Sequence, residues 1–241
     1  MKTITIILLL LANASFAQVK VNEIKMKFGS EYHKAKEPDV VFPVMSTGNK
    51  LVDGKINLFA IKALTGDDSS ANFSTTLFRA MNDGLAELEY SITLNTKDIL
   101  SYRLDALGCG AYCEPYSIYL NFDLHTGELL KIEDVIKNEM LDSFRAIVLR
   151  DKINALDSDL KEKDSLRSAE KIDSSDFNFV SEYIQQCKNE VNTDKFLLFK
   201  NEVQVIDDCE FPHAVRSLQP VYKLNYSYRR IKSFMKRGID P

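Results

Sequence analysis

Hydrophobic and polar residues alternate over several stretches of the chain. In "VKVNEIKMKFG", Val19, Val21, Met26 and Phe28 sit among Lys, Asn and Glu, which predicts a first strand interrupted near Ile24. "DVVFPVM" is a second extended run, and Pro43 inside it predicts an edge position, because proline has no N–H to give a ladder. "LAELEYSITLN" alternates with Leu88, Tyr90, Ile92 and Leu94 on one face, and "ILSYRLDA" is its hairpin partner across Asn95 to Asp98. In "YSIYLNFDL", Ile118, Leu120, Phe122 and Leu124 face away from Tyr119, Asn121 and Asp123, completing a three-strand meander.

Other stretches repeat at helical spacing. From Asn49 to Leu64 the apolar positions are Leu51, Ile56, Leu58, Phe59 and Ala63, and Gly66 closes the segment. "KIEDVIKNEMLDSFRAIVLRDKIN" carries Ile132, Val135, Ile136, Met140, Leu141, Phe144, Ile147 and Val148 on a stripe with charges opposite. Residues Leu156 to Lys171 are charge-rich and read as solvated helix or loop. "SSDFNFVSEYIQQCKNE" predicts a helix capped by Ser174 or Ser175. "KFLLFKNEVQVIDD" predicts a hairpin turning at Asn201-Glu202, "PVYKLNYSY" a last strand and "RRIKSFMKRG" a short terminal helix. Strands and helices are grouped rather than alternated. The expected class is α+β, with a mostly antiparallel sheet (meander plus C-terminal hairpin) packed by helices.

The first residues, "MKTITIILLLLANASFAQ", read as a secretory signal. Lys2 is the charged end, Ile4 to Ala12 the apolar core and Ser15-Phe16-Ala17 the small-x-small cleavage site. The apolar run is shorter than the roughly 20 residues of a membrane span. A mature chain starting at Gln18 and working outside the cytoplasm is expected, secreted or periplasmic and without a membrane anchor. Losing Lys2 takes the basic count from 31 to 30 against 35 acidic residues, a net charge of −5. That charge argues against nucleic acid and mildly favours a basic partner.

Four cysteines in a secreted chain, Cys109, Cys113, Cys187 and Cys209, allow three pairings. With the C-terminal turn at 201–202, Asp194 falls opposite Cys209 and the helix end at Cys187 lies close by. This favours Cys187–Cys209 and leaves Cys109–Cys113 as a small ring. A four-cysteine zinc site is the competing reading, but only the first pair has short ligand spacing. A catalytic thiol is a further alternative, although no histidine lies near either early cysteine in the sequence. The three histidines, His33, His125 and His213, form no ligand pair at i, i+4. No metal, cofactor or catalytic residue is therefore assigned. Asp123, His125 and Glu128 read as parts of a strand-ending turn, with Gly127 free to take positive φ. Glu133 and Asp134 follow in a first helical turn, where negative charge is favoured.

The order of segments carries a family resemblance. "FPVMSTGNKLVDGKIN" leads into "LEYSITLNTKDILSYRL", a Gly-rich loop and "YLNFDLHTGELLKIEDVI"; "KFLLFKNEVQVIDD" and "NYSYRRIKSFM" close the chain. This order resembles the paired extracytoplasmic modules of lysozyme-sensing anti-sigma factors, which also occur beside peptidoglycan deacetylase domains and in secreted bacterial proteins of unknown function. "NFDLHTGELLKIEDV" is the most specific piece. The resemblance implies a deacetylase-associated-type module over 18–115 and an anti-sigma-factor-ectodomain-like module over 116–241, forming one compact unit.

The family's loop commonly carries a histidine where "GCGAYC" has Tyr112, and the two cysteines are an addition. An anti-sigma factor needs a cytoplasmic segment and a membrane span, and a deacetylase needs an Asp and two His on a metal in a further domain; neither set is apparent here. The implied function is a non-catalytic envelope binding module, for lysozyme or cell-wall polymer, with Tyr112, Glu114 and Tyr116 as contact residues. The alternative is a peptidoglycan-modifying enzyme, with Asp123, His125 or Glu128 in its site, or an accessory subunit of one.

Overall fold

The alternating stretches build two sheets. In the computed structural model, residues 18–28, 39–66, 72–169, 173–209, 211 and 219–236 are described. The expected leader, His33 and His213 lie outside the described residues. The first sheet has five strands in sequence order: β1 (Lys20–Met26), β2 (Val40–Ser46), β3 (Leu85–Asn95), β4 (Ile99–Cys109) and β5 (Cys113–Asp123). Its neighbours are antiparallel except β2 and β3, which run parallel and share the single register pair Val40↔Leu88. The second sheet is β6 (Phe196–Leu198), β7 (Glu202–Asp208) and β8 (Val221–Ser227), all antiparallel. The class is α+β, as expected.

Pro43 does not lie on an edge strand: β2 is flanked by β1 and β3. The ladder to β3 is confined to Val40, however, and the rest of that side is closed by a side chain. Asn57 accepts from the Met45 N–H at 2.7 Å and donates to the Met45 carbonyl at 2.8 Å. Backbone groups two residues apart point the same way, so the N–H that Pro43 lacks would have faced this unladdered side. The edge rule holds locally although the strand is internal.

A parallel step between β2 and β3 needs a crossover, and two helices provide it. The first, α1 (Lys50–Thr65), starts at Asn49, whose side chain accepts from Leu51 N, and stops at Gly66 with φ 71°. Its buried face is Val52, Ile56, Asn57, Ala60, Ile61 and Leu64, whereas Leu51, Phe59 and Ala63 are exposed. The helix was legible but its face was misassigned, because a polar residue, Asn57, belongs to the inner side. The second, α2 (Phe73–Asn82), has no counterpart in the periodicity above. It is capped by Asn72, which accepts from Thr75 N, and it buries Thr76, Leu77 and Met81. The two helices and one face of the sheet enclose a core that includes Phe42, Met45, Ile56, Leu77, Leu88, Tyr102 and Phe122.

A second core forms where the second sheet meets the meander. Register slips between Ile92 and Leu94, sending Leu94 into this second cluster while Ile92 is left 37% exposed. The expected single face of Leu88, Tyr90, Ile92 and Leu94 is therefore broken by a bulge. The long stripe from Ile132 is broken as well. It folds as α3 (Ile132–Val135), a 3-10 turn over Asn138–Met140 and α4 (Leu141–Ser168). The break occurs because Lys137 N donates to Phe234 O and Lys236 N donates to Val135 O, pairing this stretch with the C-terminal segment. The charge-rich region after Leu156 is helical through Ser168.

Further along, α5 (Ser174–Cys187) is capped by Asp173 rather than by Ser174 or Ser175, with its carboxylate accepting from Ser175 N at 2.7 Å. The β6–β7 turn spans 199–202, since Leu198 pairs with Val203 and Phe199 N donates to Glu202 O. That is one residue earlier than expected at its centre. The short helix α6 (Tyr228–Ile231) follows β8.

The two sheets are stitched by buried polar side chains. Asn121 on β5 donates to the Phe196 carbonyl at 2.8 Å, and its side-chain oxygen accepts from Ser101 Oγ at 2.7 Å and from Leu198 N at 3.3 Å. Ser101 Oγ accepts from Leu198 N at 3.0 Å and from Thr93 Oγ1 at 2.8 Å. Asn121 and Ser101 thus act as a strand edge for β6. Asn121, expected on the polar face, is 2% exposed. A second buried polar contact joins α4 to β7, where Lys152 Nζ lies 2.7 Å from Asp207 and 2.8 Å from the Glu190 carbonyl. Burial pushes the Asp207 carboxyl above its ordinary value, with the bonds from Lys152 and Asn192 N opposing. The meander runs without interruption across positions 115 and 116, where Pro115 pairs with Leu107 and Tyr116 with Ala106.

Asn121→Ala leaves the Phe196 carbonyl without its donor, and chemical denaturation should show a loss of about 2 kcal/mol. Lys152→Met strands a buried carboxylate and should cost about 3–5 kcal/mol, while Lys152→Met with Asp207→Leu should recover most of it. A loss in the double variant equal to the sum of the losses of Lys152→Met and Asp207→Leu would show that the pair is not coupled.

Candidate functional site

The meander ends in a hairpin tip that the sequence equips unusually. Gly108 pairs with Glu114 and Cys109 with Cys113, and the disulfide links that last pair. The Cys109 N–H points away from β5, donating to Gly84 O at 2.7 Å. Cys109 and Cys113 are therefore a non-hydrogen-bonded pair, the kind in which Cα atoms approach most closely, here 4.0 Å. Gly110 N donates to Tyr112 O at 3.0 Å across the three-residue loop.

Gly84 anchors this tip to the start of β3. Its φ is +114°, and a Cβ built there would lie 2.0 Å from the Cys109 carbonyl oxygen. Only glycine meets both conditions. Gly108 plays a milder part, since a Cβ there would come 3.3 Å from the Tyr116 ring.

Beside the tip, the ends of α1 and α2 leave a cleft of about 580 Å³. Leu64 and Thr65 line it from α1, Thr76, Arg79 and Ala80 from α2, and Asp83, Gly84 and Leu85 from the junction with β3. Gly108, Cys109, Gly110 and Tyr116 form the opposite wall. The lining offers a cation, a carboxylate, hydroxyls, aliphatic carbon and one aromatic ring. That mixture suits recognition of a ligand with both polar and apolar parts. Burial raises the Tyr116 hydroxyl above its ordinary value.

Of the residues expected to make contacts, Tyr116 lines the cleft, while Tyr112 and Glu114 stand on the same tip outside the lining. Tyr112 is 73% exposed. Arg79, Asp83, Thr65 and Thr76 were not anticipated. Arg79 and Asp83 lie four residues apart, a helical spacing, but without α2 there was no element on which to place them.

Both disulfides have the favoured pairing, Cys109–Cys113 and Cys187–Cys209. The second joins the end of α5 to the residue after β7, although the hairpin register places Asn192, not Asp194, level with Cys209. All four cysteines are thus paired in disulfides, which leaves no free thiol for the zinc or catalytic-thiol alternatives.

Asp123, His125 and Glu128 lie at the opposite end of β5, in the turn that closes it. Asp123 accepts from the backbone N–H of His125 at 2.7 Å and of Thr126 at 3.2 Å. His125 Nε2 lies 2.8 Å from Asp98 Oδ1, and Glu128 is ion-paired with Lys55. Gly127, with φ 73°, packs against α1, where a Cβ would be 3.2 Å from Val52 backbone atoms. The three side chains are engaged in shaping and docking this turn. Glu133 pairs with Arg145, and Asp134 accepts from Lys131 N. Among the described residues, no group of three or more His, Cys, Asp or Glu is placed to hold a metal ion.

Two solved structures are similar over nearly the full chain. One is a member of the DUF3298 family from Bacteroides fragilis, 14% identical with a TM-score of 0.54, matching 90% of this chain and 94% of that one. The other is a DUF3298 family protein from Pseudomonas aeruginosa, 12% identical with a TM-score of 0.55, matching 92% of this chain and 97% of that one. At these identities the likeness is one of fold. No family model matches the sequence, and no curated protein matches it.

Gly84→Ala combines an unfavourable φ with a backbone clash and should destabilise by more than about 2 kcal/mol in thermal or chemical unfolding. Gly110→Ala, whose added Cβ meets nothing within 4 Å, should change stability by less than about 0.5 kcal/mol.

Proposed function

We propose that this chain is a non-catalytic binding module of the bacterial cell envelope, working in the secreted or periplasmic compartment and recognising lysozyme or a cell-wall polymer through the disulfide-closed tip. The observation that carries this reading is the tip itself. An exposed tyrosine, Tyr112, stands on a hairpin end fixed by a disulfide and by the Gly84 contact, next to a cleft walled by Tyr116. Rigid loops that present aromatic rings are economical recognition surfaces, because little conformational freedom is lost on binding. Two disulfides support an oxidising compartment. None of the described helices is long and apolar enough to cross a membrane. The fold is like that of two DUF3298 proteins, which agrees with the part of the resemblance that names proteins of unknown function, and the acidic charge favours a cationic partner such as lysozyme.

Binding of the full chain to immobilised lysozyme and to purified peptidoglycan separates the two partners. Tyr112→Ala with Glu114→Ala, and separately Tyr116→Ala, should each weaken the productive interaction by at least about tenfold. Unchanged affinity in both variants would remove the tip from the interface. Absence of binding to either partner would overturn the partner assignment.

A further inference from the structure

The two disulfides stand in opposite environments. Cys209 is 2% exposed and packs with Leu156, Val180, Ile184 and Phe211, with Cys187 against the same cluster. Cys113 is exposed and Cys109 half-buried, at the end of a hairpin whose strands are already paired along β4 and β5. Backbone pairing, the Gly84–Cys109 hydrogen bond and the Gly110–Tyr112 hydrogen bond hold the stem without the covalent link. Reduction at this site therefore leaves the fold in place, whereas reduction at Cys187–Cys209 requires opening a core.

We propose that Cys109–Cys113 is a thiol–disulfide exchange site, addressed by a dithiol, that sets whether the wall of the cleft is covalently closed. A dithiol thiolate attacks the exposed Cys113 Sγ and displaces the Cys109 sulfur as a thiolate, which takes a proton from solvent. The reductant's second thiol then attacks its own sulfur in the mixed disulfide and releases the Cys113 thiolate, which is protonated in turn. The dithiol is oxidised to a disulfide, and the protein gains two thiols. Cys109 lines the cleft and Tyr112 sits in the ring, so one step frees both from their shared closure. The inference does not depend on which partner the tip binds.

The test is reduction of the full-length chain under native conditions, by dithiothreitol and in parallel by reduced thioredoxin, with maleimide trapping and peptide mass spectrometry. Cys109 and Cys113 should be labelled together at least about tenfold faster than Cys187 and Cys209. Far-UV circular dichroism should stay unchanged and match that of the Cys109→Ser, Cys113→Ser variant. Reduction by thioredoxin as well as dithiothreitol identifies a protein dithiol as a competent source; reduction by dithiothreitol alone restricts the source to small dithiols. Equal rates for the two pairs, earlier labelling of Cys187 and Cys209, or loss of secondary structure on labelling at the tip would overturn the proposal.

Discussion

The fold depends on how the backbone of β6 is satisfied on the side away from β7. A strand buried against another sheet leaves a row of amide and carbonyl groups that water cannot reach, and each one left unpaired costs about 1–3 kcal/mol. Here Asn121 and Ser101 supply the missing edge, pairing with Phe196 O and Leu198 N. Both side chains come from the meander, so β6 docks on the first sheet in one position only. Once β6 is fixed, the second core closes around Phe144, Val203, Val205 and Tyr226, and α4 is held over it. The same solution appears at β2, where Asn57 closes the side left open by the short parallel ladder. In both places an asparagine, joined by Ser101 at β6, bonds backbone groups that a neighbouring strand would otherwise pair.

This explains which parts of the fold the sequence displayed. Alternation and spacing are records of side chains meeting water or carbon, so β3, β4, β5 and the span of α1 were legible. Residues whose burial serves hydrogen bonding were not. Asn121 and Asn57 look like solvent-facing positions because polarity alone cannot distinguish a wet amide from one bonded to buried backbone. At α1 the apolar stripe was drawn through Leu51 and Phe59, whereas the buried face runs through Val52, Ala60 and Leu64 and includes Asn57. The break after Val135 was invisible for a related reason. It is imposed by pairing with residues 234–236, about a hundred positions away, which no local period encodes.

The candidate site was half legible. The cysteines, Tyr112 and Tyr116 stand out in the sequence because their spacing brackets a turn. The opposing wall is contributed by α2, a ten-residue helix whose apolar positions are too few to show a period, so Arg79 and Asp83 could not be brought to the tip. What brings them there is the parallel step from β2 to β3. A parallel connection must return the chain along the length of the sheet, and α1 and α2 do so across one face. Their junction with β3 then falls beside the end of the β4–β5 hairpin. The cleft is thus a consequence of topology, and Gly84 is the residue that lets the junction and the tip touch.

The two disulfides differ in what they hold together. On the loop-entropy account, closing 22 residues between Cys187 and Cys209 contributes about 3 kcal/mol, and closing the four-residue interval of Cys109–Cys113 about 2 kcal/mol. The larger contribution comes from the cluster that joins α4, α5 and the end of β7, where a packed core surrounds the bond. The smaller comes from the tip, where the bond constrains three loop residues and one wall of the cleft. A module built in this way can change the chemistry of its tip while the asparagine-mediated joints and the buried cores maintain the scaffold. The two DUF3298 neighbours keep this scaffold at 14% and 12% identity. Likeness of fold at such divergence fits a scaffold specified by backbone pairing and burial more than by the identity of most residues.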